Sequence, residues 1–374
     1  MTVRLFYGSE TGLGQSTGVA GALIALLDKI LVNGFNSQSL TSITRSGATA
    51  TVGKTAHGFR SGQTVNQSGW DQAEYNGNFV IFNVTANTYD ITVTGTPTTP
   101  GTGTATGKVA AVGWTKPYNG TNKAVYRPSA GNQFYLRIDD AGTTQARSVG
   151  YEAMTDVDTG TNAFPTAVQF AGGLYWPKSG TANATVRDYV VIADEKRFYW
   201  IVDQASDSWN TAQGAFFGDI KTYKAGDTYH TLIIAQPTAT VSNSSNLYNT
   251  ATNPATAQSG HYMARAFSQI GGSVACGKII DYCKANQTTA IGSGGASYPD
   301  PVSGSLNVCP VFVHESSVNG IRGELPGVLA PLHARPLNTL DTYEGTDDYA
   351  GLNFISVNMY SAAQMHFQIN GTMP

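Results

Sequence analysis

Gly272, Gly277 and Lys278 in "GGSVACGKI" (271–279) stand at the G-x-x-x-x-G-K spacing of a phosphate-cradling loop. That chemistry needs a preceding strand, a following helix, and a Ser or Thr after the lysine to hold Mg²⁺. Ile279 occupies the last place and "RAFSQI" is a poor buried strand, so the match is read as coincidence in a glycine-rich chain. Asp156, Asp158 and Gly160 in "TDVDTG" (155–160) open like a Ca²⁺ loop. The bidentate glutamate that ends such a loop is missing, because position 167 is alanine. Asx turns closing a tight connection are the expectation there.

His57, His230, His261, His314, His333 and His366 include no pair at i, i+3 or i, i+4, and they form no zinc pattern with Cys276, Cys283 and Cys309. In "VFVHES" (311–316) strand geometry puts His314 and Glu315 on opposite faces, and His314 is read as a hydrogen-bonded structural residue. No nucleophile elbow or kinase signature is present. A carboxylate pair for glycoside cleavage is brought together by the fold, so the sequence leaves that chemistry open. Trp70, Trp114, Trp176, Trp200 and Trp209 would stack on sugars if exposed, and otherwise fill cores or interfaces. The sequence thus nominates no catalytic, cofactor-binding or metal-binding residue. A non-enzymatic protein without a cofactor is expected.

The elements that would carry function follow from composition and period. Only 13% of the 374 residues are charged, about half the share in an ordinary globular protein. Aromatics at 10% argue against disorder, and 42 glycines amid Thr, Ser and Asn suit strands joined by turns. Few charges also suit surfaces buried against neighbouring subunits. A net charge of −3 offers no general attraction for nucleic acid or anionic membrane, and neither is expected as a partner. The longest apolar run, "VAGALIALLDKILV" (19–32), is too short for a membrane span and contains Asp28 and Lys29. No secretory signal is read at the N-terminus, and three cysteines without a CxxC pair predict no disulfide framework. A soluble protein made in a reducing cytoplasm is the expectation.

Val19, Leu23, Leu26, Leu27, Ile30 and Leu31 recur at helical spacing and predict one amphipathic helix over 17–33, capped by Ser16 or Thr17 and stopped at Asn33-Gly34. From Ser39 the period becomes two. "SITRSGATATVG" reads as two short strands about Ser46-Gly47, and "YNGNFVIFNVTANTYDITVTG" as a hairpin. Deleting residues 39–110 joins "LLDKILVNGF" smoothly to "GWTKPYNGTNKAVYR", which predicts a small β-module inserted into a loop of a discontinuous parent, 1–38 and 111–374. Further on, "VVIADEKRFYWIVD" (190–203) predicts a strong hairpin and "AFPTAVQFAGGLYWPKS" one short helical turn. A long exposed excursion is read after residue 236, and there is no long internal repeat. The expected fold is mainly β with one N-terminal helix: a sandwich- or barrel-like parent carrying an inserted small β-barrel.

"ITRSGATATV", "AHGFRSGQTV", "SGWDQAEYNGNFVI" and the Thr/Pro/Gly end resemble a β-module that recurs in bacteriophage virion proteins. "GALIALLDKILVNGF", "GWTKPYNGTNKAVYR", "FYLRIDD", "GYEAMTDVDTGTNAFPTA", "GGLYWPKS" and "LPGVLAPLHARPL" resemble tailed-phage virion proteins across residues 17–335 outside the module. The resemblance implies a structural subunit of the tail, baseplate or neck, assembled in the host bacterial cytoplasm. Its implied partners are copies of itself and other virion proteins. A capsid decoration protein and a host-surface glycan-binding tail protein are the alternatives, the latter predicting an aromatic-lined pocket.

Overall fold

The structure is a computed structural model and describes residues 2–205, 209, 212–239, 247, 260–279, 297–333, 336–359 and 364–374. It is mainly β, as expected, with one α-helix among the described residues, Ala22–Leu27, which continues into a π-helical stretch, Asp28–Asn33. All named ladders are antiparallel.

The largest sheet has 13 strands and runs from an edge at Arg4–Tyr7 to an edge at Thr342–Glu344. Next to the Arg4–Tyr7 edge comes the predicted hairpin. Tyr189–Ala193 and Arg197–Asp203 pair with Val191 opposite Trp200, and Asp194 closes the turn by accepting from the Lys196 and Arg197 amides at 2.8 and 3.0 Å. Every residue of these strands and of Ala212–Asp219 is buried. Strand alternation explains why: Tyr189, Val191, Phe198, Trp200 and Phe217 enter one core, while Val190, Ile192, Tyr199, Ile201 and Phe216 enter another. A sheet covered on both faces reads as a continuous apolar run, which is the text of "YVVIA" and "RFYWIVD".

A six-stranded sheet spans Thr115 to Pro177 and contributes Ala124, Tyr126, Leu136, Ile138, Phe164 and Trp176 to the first core. The predicted helical turn is present there as a single turn, closed by the Phe170 amide on Thr166 O at 2.8 Å.

The strands between Phe35 and Val109 pair only among themselves, in one four-stranded and one three-stranded sheet. Ser42–Ser46 and Thr49–Gly53 form the predicted hairpin, with Gly47 at φ 60° in its turn. The hairpin expected over 75–95 forms only at its tip, where the Thr85 amide donates to Thr88 O at 2.8 Å. Gly77–Val80 pairs with Thr64–Trp70, whereas Thr88–Thr92 pairs with Thr49–Gly53, and the two segments touch through one bridge, Phe82 to Asp90. Parting into two sheets lets Val65, Tyr75 and Ile81 face Ile43, Tyr89 and Ile91 in a shared core, which a flat hairpin could not cover on both sides. Among the described residues neither this unit nor the large sheet closes into a barrel.

The helix begins five residues later than its apolar period suggests. Gly18 lies where a Cβ would stand 1.8 Å from Thr181 O, and Gly21 has φ 81°, a left-handed conformation that starts the helix after it. Neither Ser16 nor Thr17 caps it: Ser16 Oγ donates instead to Lys178 O at 2.9 Å. The cap is remote, with Asp140 Oδ2 accepting from the Leu23 and Ile24 amides at 2.8 and 3.3 Å. Asp140 Oδ1 in turn holds Lys178 Nζ, which also donates to Val19 O at 2.9 Å and Gly142 O at 2.7 Å, and both side chains are fully buried. The predicted stop stands: Gly34, at φ 74°, donates back to Lys29 O.

Cys309 is disulfide-bonded although no framework is expected, while Cys276 lies buried in the second core. Sequence spacing carries no information about the Cα approach a bridge requires. Most of the excursion read after residue 236, and Cys283, lie outside the described residues.

Removing one member of a buried ion pair strands the other charge, at a cost of about 3–5 kcal/mol. Lys178→Met is therefore expected to lower stability by that order in chemical denaturation. Asp140→Asn combined with Lys178→Met should recover part of the loss, because the amide oxygen still accepts from Leu23.

Candidate functional site

The residues singled out for chemistry are mostly absorbed by the fold. Gly277 and Lys278 lie inside the strand Val274–Ile279, in antiparallel register with His314 and Val313, so no loop and helix cradle a phosphate. Asp156 accepts from the Asp158 amide at 2.7 Å, the expected Asx turn between Gln145–Met154 and Gly160–Phe164. Asp158 pairs with Lys123 at 2.9 Å and Arg137 at 2.6 Å, and those hydrogen bonds hold its carboxyl below its usual range. His314 Nε2 meets Asn319 Oδ1 at 2.9 Å. Among the described residues no three His, Cys, Asp or Glu side chains group to hold a metal, and no helix is long and apolar enough to cross a membrane.

The tryptophans take the place such residues more often have, in the core. Trp70, Trp114, Trp176, Trp200 and Trp209 are at most 8% exposed, so none offers a face to a sugar. Trp114 and Trp176 each pack edge-on against Phe198 at 5.3 Å, inside the first core. Their replacement would disturb folding, whatever the protein binds.

Two surface features among the described residues combine exposed apolar side chains with a buried polar support. The first is a cleft of about 250 Å³ where Tyr223, Phe267, Val318 and Ile321, each 42–53% exposed, surround Arg322 and Glu315. Its base is a buried charge network. Arg322 donates to both Asp227 oxygens at 2.7 and 3.0 Å, forms an ion pair with Glu315, and donates to Arg265 O at 3.1 Å. Burial alone would raise the Asp227 carboxyl, but Arg322, the Tyr229 amide and His230 together hold it below its ordinary range. Glu315 accepts the Phe267 amide at 3.0 Å, which fixes the segment carrying that exposed ring. The apolar side chains therefore sit on a rigid, fully paired base.

The second is a half-open groove of about 680 Å³ between the segment 298–308, the end of the strand Gly320–Pro331, and the turn after Thr342–Glu344. Its apolar wall is Tyr298, Tyr343, Tyr349 and Phe354 with Leu306, Leu329, Leu332 and Leu337. Tyr343 stacks on Phe354 at 5.6 Å, and Tyr349 meets Phe354 edge-on at 5.8 Å. Its polar lining is Glu344, Thr346, Asp347 and Asp348 with Ser303, Ser305 and Asn307, and among the described residues no Lys or Arg lines the groove. The turn is built tightly. Asp347 has φ 52°, the Tyr349 amide donates to Thr346 O at 3.0 Å, and a Cβ at Gly345 would lie 2.6 Å from Tyr349 O. Burial, reinforced by Glu324 and Asp348, pushes the Tyr349 hydroxyl above its usual range and keeps it a neutral donor.

Behind the groove, Tyr343 OH lies 2.6 Å from His366 Nδ1. His366 is fully buried, and its Nε2 has no hydrogen-bond partner among the described residues. Burial, with help from His333, pushes its pKa down to about 3. Sequence reasoning missed this groove because its walls come from segments 298–308, 329–337 and 343–354. The legible part was "DTYEGTDDY", whose acidic and tyrosine residues crowd one turn.

No family model matches the sequence, and no curated protein matches it. Among solved structures the chain is similar to the phage phi92 endosialidase at 11% identity and a TM-score of 0.17, with 90% of this chain and 52% of that one covered. The chain spans about half the length of that protein, and a TM-score at this level is not that of a shared fold.

The neutral state of His366 sets a pH dependence. Unfolded, the imidazole binds a proton below about pH 6.5; folded, it resists one down to about 3. Between those values the unfolded chain holds more protons, so stability falls as pH falls, by at most about 1.4 kcal/mol per pH unit. Urea midpoints measured from neutral pH to about pH 4 should show this slope. His366→Gln should flatten it.

Proposed function

We propose that this protein is a non-enzymatic structural subunit of a tailed-phage particle, in the tail, baseplate or neck, and that the cleft at Tyr223, Phe267, Val318 and Ile321 is one of its contacts with a neighbouring subunit. The observation that carries the reading is this contiguous set of exposed apolar side chains on a buried, paired charge base. Exposed apolar groups gathered in one place mark contact surfaces, and a rigid base means little ordering entropy is lost on assembly. The resemblance of residues 17–335 to virion proteins supports the setting, as does the low charge content of the chain.

Within that reading, residues 39–110 form a module inserted into the parent fold. The support is local: Phe35 and Val109 are ladder partners, so the chain enters and leaves the unit at one place. Val112 and Trp114 then donate to Ile30 O and Leu31 O at 2.9 Å, which returns the chain to the helix end it left. Replacing residues 36–108 with a Gly-Gly link should leave a parent that melts cooperatively; a molten product would count against the division.

Electron cryomicroscopy of the intact particle tests the function itself. The expected result is this chain in repeating, symmetric density with Phe267 and Ile321 buried against a neighbour. Phe267→Glu with Ile321→Glu should leave the isolated chain folded and exclude it from particles. Absence of the chain from the particle, or incorporation of the double variant at the normal level, would overturn the proposal. Density on the capsid surface would favour the decoration reading instead.

A further inference from the structure

The groove beside Tyr343 is not explained by assembly, and its chemistry is specific. Its volume, about 680 Å³, lies within the range of roughly 300–1,000 Å³ typical of small-molecule sites. The lining combines aromatic and leucine side chains with oxygen groups, three of them carboxylates, at Glu344, Asp347 and Asp348. From these features we propose that the groove binds a neutral oligosaccharide, with Tyr298 and Tyr349 covering sugar faces and the acidic turn accepting hydroxyl hydrogens.

A pyranose matches this combination. Its axial C–H groups make one apolar face that packs on a ring, while its equatorial hydroxyls are a belt of donors that need acceptors. A carboxylate accepts hydrogen bonds more strongly than a neutral oxygen. Tyr298 is 46% exposed and so has a free face. Tyr343 is held by His366 and stacked on Phe354, which makes it a fixed wall.

Charge excludes the main rivals. An acidic sugar, a nucleotide or a phosphate would meet three carboxylates and, among the described residues, no lining Lys or Arg. A basic peptide would be attracted, but Glu344, Asp347 and Asp348 are exposed, and exposed ion pairs contribute only about 0.2–1 kcal/mol each and weaken with salt. The ring contacts do not depend on charge. They favour a ligand recognised by its faces and hydroxyls.

The test is calorimetry on the full chain at physiological salt with maltohexaose, xylohexaose and chitohexaose as neutral probes, hexagalacturonate as the anionic probe and hexalysine as the cationic one. Binding of at least one neutral probe, little changed by added salt, is expected. Tyr298→Ala and Tyr349→Ala should each weaken it roughly tenfold, and Tyr298→Phe should leave it nearly unchanged. If Tyr349→Ala fails to fold, Tyr298→Ala decides alone, since that ring is half in solvent. No binding of any neutral probe, tighter binding of hexagalacturonate or hexalysine, or neutral binding indifferent to Tyr298→Ala would each overturn the proposal. Failure here leaves the particle location untouched, because the two are read by different measurements.

Discussion

A buried lysine–carboxylate pair organises the N-terminal half of this protein. Asp140 ends the strand Tyr135–Asp139 and turns its carboxylate into the first turn of the helix, where free amides need acceptors. Lys178, just past the strand Leu174–Pro177, neutralises that carboxylate and ties down Val19 and Gly142. Two charges without water are tolerable only because each has its hydrogen bonds satisfied. Through this pair the helix, the six-stranded sheet and the loop around Ser16 become one body.

That body covers one face of the hairpin formed by Tyr189–Ala193 and Arg197–Asp203. "YVVIA" and "RFYWIVD" put large apolar groups on both sides, so each side needs its own layer. The helix and the six-stranded sheet supply the first; Val328, Ile355, Val357, Met365 and Phe367 from the C-terminal strands supply the second. Tyr199 shows the cost of a polar group in such a core: its hydroxyl is buried, finds Pro326 O at 2.8 Å, and its ring packs on Phe216 and Phe367.

Both surface features lie on the C-terminal half, at ends of strands whose centres are packed. The apolar cleft stands on the Arg322 network, and the groove stands against the Tyr343–His366 contact. In each, buried polar groups hold exposed groups in place. That is the arrangement a recognition surface needs, because groups already ordered lose little entropy on contact.

The sequence by itself determined what depends on local period and turn chemistry. The hairpin at 190–203, the Ser46-Gly47 turn, the Asx turn at Asp156 and the glycine stop at Gly34 all follow from a few adjacent residues. It also disposed of the phosphate-loop match, since Ile279 and the strand-like text around it already lacked the needed context. Tertiary structure decided the rest. The helix start went to Asp140, over a hundred residues away from Leu23, because an unpaired amide takes whichever acceptor the fold brings near. The segment 75–95 split between two sheets because two faces needed covering. The five tryptophans went inside, and tyrosines took the surface groove. Side-chain type says what a residue can do; only packing says whether its face meets water.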